Sequence, residues 1–188
     1  GLTERLARML SIFKSCGLSP QDVKELSEKS GGLLKAKLQD AALVFEKYEE
    51  LLEYISKKHP NAIVTLESAC YCYGLLKKKK DYYRIATKQK DRKINDEFIK
   101  QIFMTDSLYS IGVNVITYKG FKIKIYDLER TLVEVARNKI LLSYEDYHEI
   151  MNNYKKLFRL VNKEKLYNYV SYFKDSRIEK RIKRELDL

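Results

Sequence analysis

Residues 113–139 read VNVITYKGFKIKIYDLERTLVEVARNK, a stretch that combines two kinds of apolar periodicity. Apolar and polar residues alternate on both sides of Lys119-Gly120. Alternation interrupted by a two-residue segment that contains glycine predicts a β-hairpin. From Asp127 onwards the apolar spacing becomes helical, with the aspartate as N-cap. The stretch therefore predicts a hairpin that leads directly into a helix, and hence a domain of mixed α and β structure.

The two arms of the hairpin are expected to differ between their faces. The apolar positions that alternate are Val113, Val115, Phe121, Ile123 and Ile125. Lys122 and Lys124 lie on the remaining face, which we expect to be solvated. In the following helix the inward positions are Leu128, Leu132, Val133 and Val135 or Ala136.

Composition predicts a globular protein of one domain or two small ones. The chain has 188 residues, of which 45% are hydrophobic and 34% are charged. No apolar run approaches the roughly 18 residues that a membrane span requires, and the start, GLTERLARML, lacks the apolar core of a signal peptide. Cys16, Cys70 and Cys72 are odd in number, which favours reduced thiols over disulfides. We therefore expect a cytoplasmic protein without a membrane partner.

The positive charge is concentrated in the second part of the chain. The net charge is +11, but residues 1–54 hold 8 Lys/Arg and 9 Asp/Glu. Residues 55–188 hold 29 Lys/Arg against 17 Asp/Glu, an excess of 12 positive charges. A basic domain favours a polyanion or an acidic protein as partner.

Residues 1–54 are predicted to form a helical module. A first helix places Leu6, Met9, Leu10 and Phe13 on one face and ends at Gly17. Ser19, Pro20 and Asp22 begin a second helix, and Gly31-Gly32 ends it. A third helix is expected over 33–59, with Pro60 as its stop and apolar contacts from Leu38, Leu43, Phe45, Tyr48, Leu51, Leu52 and Ile55. A DNA-binding helix-turn-helix is less favoured than a small bundle, because the second helix, QDVKELSEKS, balances acidic and basic residues.

Residues 55–188 are predicted to form an α+β domain. A helix begins at Thr65 as N-cap with Glu67 in its first turn, and strands are expected over 82–87 and within FIKQIFM. Three helices over 144–160, 163–173 and 175–187 should close the chain as a bundle. Their predicted caps are Ser143 with Asp146, Asn162 and Asp175. The predicted fold is thus a helical module, then a small mixed sheet packed with helices, then a C-terminal helical bundle. The apolar positions expected in or around the core of that bundle are Tyr154, Leu157, Leu160, Leu166, Tyr169 and Tyr172.

No constellation in the sequence predicts catalysis, a metal site or a cofactor. Cys70 and Cys72 lack metal-ligand spacing, and His59 and His148 each stand without a second ligand or base nearby. Asp127 and Glu129, with Lys122 or Lys124, would be a nuclease-like set, but two carboxylates at a helix start are more often a cap and a dipole partner. Arg130 is expected to pair with Glu67 or Glu134 and so to lock the helix in place. We expect no enzyme activity.

Lysines, arginines and tyrosines cluster around the first predicted strand. The candidate nucleic-acid-binding residues are Lys77, Lys78, Lys79, Lys80, Tyr82, Tyr83, Arg84, Lys88, Lys90, Arg92 and Lys93. A solvated loop is an equally weighted alternative. A second basic run on the last helix, Lys174, Arg177, Lys180, Arg181, Lys183 and Arg184, alternates with acidic residues and is expected to be a solvated face.

Three segments after residue 54 resemble the C-terminal domain of AbiEi-family antitoxins, from type IV abortive-infection toxin–antitoxin systems. They read NAIVTLESACYCYGL, YYRIATKQ and KIKIYDLERTLVEVARNK. The resemblance implies a cytoplasmic, non-enzymatic phage-defence protein. It also implies that the protein represses transcription at the promoter of its own operon, and that it counters a nucleotidyltransferase-like toxin without a stable complex.

The N-terminal residues depart from that family pattern. A winged helix-turn-helix is expected there, yet residues 1–54 show no alternating pair that would form a wing. Instead, RMLSIFKSCGLSPQDVKELSEKS and LLKAKLQDAALVFEKYEELL resemble a helical stretch of AddB, a subunit of a bacterial helicase–exonuclease. The alternative function is accordingly a helical interaction module, or a fragment related to a DNA-repair helicase–nuclease subunit.

Overall fold

A computed structural model describes residues 12–13, 16–49 and 51–188 of the chain. The chain divides between Tyr54 and Ile55 into two compact units. The predicted contacts of Leu6, Met9 and Leu10 lie outside the described residues, and so do the side chains of Phe45 and Tyr48.

The N-terminal unit is built from helices wherever the structure describes it. Helix α1 spans Pro20–Glu28 and α2 spans Gly32–Glu49. Helix α3, Leu51–Lys58, begins in this unit and ends in the C-terminal one. The Ser19 hydroxyl accepts from the Asp22 backbone N–H at 3.2 Å, while the Asp22 carboxylate accepts from the Ser19 N–H at 2.6 Å. This reciprocal pair is the capping box that fixes the start of α1.

Among the described residues of this unit, a buried apolar cluster joins α1 to α2. Val23 of α1 packs with Leu38, Ala41 and Ala42 of α2. Leu43, which the sequence predicted to supply an apolar contact, is 64% exposed instead.

No helix among the described residues is both long enough and apolar enough to cross a membrane.

The C-terminal unit is an α+β fold, as the sequence predicted. Its strands are β1 Ile63–Val64, β2 Tyr83–Lys88, β3 Ile99–Met104, β4 Val113–Tyr118 and β5 Phe121–Tyr126. Its helices are α4 Leu66–Cys72, α5 Asp106–Tyr109, α6 Leu128–Arg137, α7 Tyr144–Leu157, α8 Lys163–Tyr172 and α9 Ser176–Leu186. Two 3-10 turns, Lys139–Leu141 and Phe158–Leu160, follow α6 and α7.

The five strands form one mixed sheet in the order β3-β2-β1-β5-β4. The short β1 lies at the centre, antiparallel to β2 and parallel to β5. Strand β3 runs parallel to β2 at one edge, and β4 runs antiparallel to β5 at the other. The first predicted strand, 82–87, and the strand in FIKQIFM therefore become neighbours in the sheet.

The opening stretch folds as the predicted hairpin and helix. Tyr118 pairs with Phe121, and Lys119 and Gly120 have φ values of +49° and +90°. Positive φ values at both residues of a two-residue loop are typical of a type I′ turn, whose backbone twist matches that of the flanking strands. Asp127 then caps α6, since its carboxylate accepts from the Arg130 N–H at 2.8 Å.

One expectation for the hairpin is wrong. Ile116 pairs with Ile123, and Val115 pairs with Lys124, so Val113 and Val115 lie on the face opposite to Ile123. The two-residue turn sets this register, because a shift of one residue exchanges the two faces. Val115 is consequently 55% exposed on an edge strand.

The C-terminal helices enclose the main apolar core. Leu132, Val133, Val135 and Ala136 of α6 are fully buried, and Tyr154 and Leu166 pack in the same cluster. The predicted caps Ser143, Asn162 and Asp175 each accept a hydrogen bond from a backbone N–H in the first turn of their helices. Three residues that the sequence predicted for the core or its rim have more than a third of their surface exposed to solvent: Leu157, Leu160 and Tyr172.

Candidate nucleic-acid interface

The predicted binding surface is divided between the two ends of β2. Residues 77–82 precede the first residue of this strand, and residues 88–93 begin at its last residue. A strand of six residues is about 20 Å long, so this length separates the two groups. Tyr83 and Arg84 lie inside the strand, where they are 3% and 7% exposed. Because β2 is buried on both faces, neither residue offers the surface contact that the sequence predicted.

Arg84 is buried because it neutralises Glu67 of α4. Its Nε lies 2.8 and 2.9 Å from the two carboxylate oxygens, and its Nη2 lies 2.8 Å from Oε1. The Tyr82 hydroxyl donates to the same Oε1 at 2.7 Å. Glu67 therefore pairs with Arg84 and not with Arg130, and this ion pair ties α4 to β2.

Two acidic residues of α7 contact the basic segment that precedes β2. Lys80 forms an ion pair with Asp146, and the backbone N–H of Lys77 donates to Glu149 at 2.9 Å. Burial, together with the bond to Glu67, raises the pKa of Tyr82 to about 12. Lys100 lies 3.6 Å above the Tyr82 ring. Contacts with Glu67 and α7 therefore hold this end of β2 in place, and the ion pair with Asp146 reduces its positive charge.

The loop between β2 and β3, residues 89–98, has an ordered backbone. Asp91 accepts from the Lys88 N–H and Asp96 accepts from the Phe98 N–H, both at 2.9 Å. Gln101 accepts from the Ile94 N–H at 2.8 Å and donates to the Arg92 carbonyl at 3.2 Å. These bonds to loop backbone groups hold the β2–β3 loop in one shape.

That ordered loop presents cations to solvent. Lys90, Arg92 and Lys93 are all exposed. Lys90 approaches Asp106 at 3.5 Å, but the two side chains are 70% and 60% exposed, so the pair is worth little in water. Because side-chain hydrogen bonds hold the loop backbone, we expect a polyanion to bind here with little reorganisation of the loop.

An open pocket of about 480 Å³ adjoins the same loop. The charged residues that line it include the cations Lys58, Arg92 and Lys93 and the carboxylates Asp91 and Asp96. His59 also lines the pocket; burial lowers its pKa, Lys58 lowers it further and Asp96 opposes that effect. The imidazole is therefore a neutral hydrogen-bonding group at neutral pH, and the cations supply the positive field.

The carboxylates of the nuclease-like alternative are occupied by structural contacts. Besides capping α6, Asp127 accepts from the Tyr169 hydroxyl and from Lys165, both at 2.9 Å. Glu129 accepts from the Asn162 N–H at 2.8 Å and lies 3.4 Å from Lys165. The partner lysine is thus Lys165 and not Lys122 or Lys124. These contacts join α6 to α8.

Arg130 lies at the centre of a second buried network. It pairs with Glu134, one of its two predicted partners, at 2.8 Å, with both side chains fully buried. Its Nη1 donates to the carbonyls of Leu108 and Ile111 at 2.9 Å. Arg130 therefore holds the segment between α5 and β4 as well as its own helix.

The basic run on α9 is mostly a solvated face. Arg177 pairs with Asp175 and Lys183 pairs with Glu179 in exposed contacts. Arg181 departs from this pattern, because its guanidinium donates to the carbonyl of Ala136 at the end of α6. The sequence gives no signal for such a contact, since only the helix packing brings α9 beside α6.

The described residues contain no cluster of three His, Cys, Asp or Glu side chains that would hold a metal ion. Cys70 is buried, and that burial raises the pKa of its thiol well above the usual value. The thiol therefore stays protonated at neutral pH. No family model and no curated protein matches this chain.

Proposed function

We propose that this chain is a non-enzymatic regulator of the antitoxin type that acts by binding nucleic acid. The observation that carries the proposal is the β2–β3 loop, where Lys90, Arg92 and Lys93 project from a backbone held by Asp91, Asp96 and Gln101. Closely spaced cations on a fixed backbone suit phosphate contacts, which dominate the affinity of proteins for nucleic acid.

The resemblance to AbiEi-family antitoxins supports the type of regulator. Its three segments supply neighbouring elements: the first forms β1 and α4, the second forms β2 and the third forms β5 and α6. Strand β1 pairs with both β2 and β5. The similar residues thus form the central framework of the unit. On this proposal the natural DNA target is the promoter of the protein's own operon, and the toxin is countered without a stable complex.

The proposal is tested by DNA binding of the full chain at two salt concentrations. The probes are the duplex upstream of its own operon and a scrambled duplex of equal composition, followed by fluorescence anisotropy. We expect tighter binding to the upstream duplex, with an affinity that falls as salt rises because phosphate contacts release counterions. Equal binding to both duplexes would restrict the proposal to sequence-independent contacts, and no binding at low salt would contradict it.

One observation favours the alternative of a helical interaction module. Large apolar side chains of the N-terminal unit are exposed, namely Leu26, Leu33, Leu34 and Leu43. Exposed leucines on adjoining helices are typical of a surface that packs on another protein. The alternative predicts that the DNA experiment fails, and that Leu33→Ser with Leu34→Ser changes the oligomeric state measured by light scattering.

A further inference from the structure

A second pocket, of about 530 Å³, lies beside the first turn of α7. Its volume is in the range of small-molecule sites. We call it the α7 pocket, and the lining residues that matter are Arg137, Lys139, Ser143, Tyr144, Tyr147 and Arg181. None of them lines the pocket beside the β2–β3 loop.

Three separate elements supply cations to the α7 pocket. Arg137 ends α6, Lys139 begins a 3-10 turn and Arg181 comes from α9. Arg137 is fixed by Glu134, to which its Nη2 donates at 3.0 Å, and its buried Nε has no hydrogen-bond partner among the described residues. Each guanidinium carries five N–H donors, so one internal contact leaves donors for a ligand.

The carboxylates near the pocket do not balance these cations. Glu134 is shared, because it also pairs with Arg130 and accepts from Asn138. Lys139 lies 3.8 Å from Glu185, which is beyond hydrogen-bond distance, and Arg184 lies closer to that carboxylate at 2.9 Å. Three cations, Arg137, Lys139 and Arg181, line the pocket, whereas neither Glu134 nor Glu185 does. A pocket with this excess attracts an anion.

The same pocket offers an aromatic and aliphatic surface. Tyr144 is 71% exposed, and its ring centroid lies 4.1 Å from that of His148. Ile140, which is 93% exposed, and Leu142 also line the pocket. Ser143 and Tyr144, at the start of α7, also line the pocket, and the first backbone N–H groups of a helix lack an intrahelical partner. A ligand that combines a flat apolar ring with a phosphate would satisfy both parts.

We propose that the α7 pocket binds a phosphorylated nucleoside, either free or as one residue of a single-stranded nucleic acid. Arg137, Lys139 and Arg181 contact the phosphate, and the base packs on the exposed face of Tyr144. Cations and an exposed tyrosine in one pocket favour this ligand over an acidic protein segment, which has no need of a flat ring. The proposal does not depend on the antitoxin function.

The test is a titration of the 15N-labelled full chain followed by amide chemical shifts. The probes are adenosine 5′-monophosphate, adenosine, inorganic phosphate, an eight-residue oligoadenylate and an octaglutamate peptide. The variants are Lys139→Ala and Tyr144→Ala. The matched controls are Lys156→Ala and Tyr172→Ala, which remove an exposed lysine and an exposed tyrosine outside the pocket. The spectra also show directly whether each variant is folded.

We expect the monophosphate to shift the amides of residues 139–147 and to bind more tightly than adenosine or phosphate alone. Lys139→Ala and Tyr144→Ala should each weaken binding by about tenfold, and the controls by less than about twofold. Tighter binding of the oligoadenylate identifies the ligand as a nucleic acid chain, and equal binding identifies it as a free nucleotide.

Three results would overturn the proposal. In the first, neither nucleotide probe shifts the pocket amides at millimolar concentration. In the second, the control variants lose as much affinity as the pocket variants, which would indicate unspecific attraction. In the third, the octaglutamate shifts the pocket amides while the nucleotide probes do not, and the site then docks an acidic protein.

Discussion

Arg130→Ala should lower the free energy of unfolding by about 3–5 kcal/mol. Arg130 is fully buried, and its loss removes the cation that lies 2.8 Å from the buried Glu134 carboxylate. It also leaves the carbonyls of Leu108 and Ile111 without the donor that lies 2.9 Å from both. Urea unfolding followed by far-UV circular dichroism would measure the change.

The packing around Arg130 makes its replacement hard to accommodate. The guanidinium lies 4.5 Å from the Tyr126 ring centroid and 4.8 Å from that of Phe173. Gly112, with φ at +74°, approaches so closely that an added Cβ would lie 2.6 Å from the Cβ of Arg130. We therefore expect Arg130→Lys to restore little, since lysine lacks the planar fork that reaches several acceptors.

The matched control is Arg159→Ala, which removes an exposed arginine from the turn after α7. It should change the unfolding free energy by no more than about 0.5 kcal/mol. If Arg130→Ala were as mild as this control, the buried network would not stabilise the unit as described.

Glu67→Ala should lower the free energy of unfolding by about 3 kcal/mol, because it leaves the Arg84 guanidinium buried without its counter-charge. The Tyr82 hydroxyl loses its acceptor at the same time. Among the described residues, the remaining hydrogen-bond acceptor of the Arg84 guanidinium is the Leu141 carbonyl, which lies 3.5 Å from Nη2. The same urea experiment measures the effect.

Two further variants separate charge from shape at Glu67. Glu67→Gln keeps the volume and one acceptor oxygen, so we expect an intermediate loss of stability. Glu97→Ala removes an exposed carboxylate from the β2–β3 loop and should have almost no effect. A loss below about 1 kcal/mol for Glu67→Ala would mean that water or another group solvates Arg84, and that this ion pair does not tie α4 to β2.

The sequence predicted well those features that depend on near neighbours along the chain. The turn at Lys119-Gly120 and the cap at Asp127 each depend on a few adjacent residues, and both are confirmed. The pairing of Arg130 with Glu134 follows from the four-residue spacing of a helix.

Contacts between distant segments could not be predicted in the same way. Glu67 pairs with Arg84 because β1 brings α4 beside β2, a neighbourhood that no local pattern encodes. The candidate interface was predicted as one patch because its residues are close in sequence, whereas a strand with its inner side chains buried separates its two halves. Gln101 went unnoticed because a single glutamine carries no signal until β3 lies beside β2.

In the proposed function, the cations of the β2–β3 loop contact nucleic acid phosphates. The most direct test compares the salt dependence of duplex DNA binding by the full chain with that of the triple variant Lys90→Ala, Arg92→Ala, Lys93→Ala. A matched variant, Lys156→Ala, Arg159→Ala, Lys163→Ala, removes the same charge from exposed positions around the turn between α7 and α8. We expect the slope of log K against log salt to fall in magnitude by about 2 to 3 for the loop variant alone. An unchanged slope for the loop variant, or an equal fall in the matched variant, would mean that the loop does not contact the phosphates.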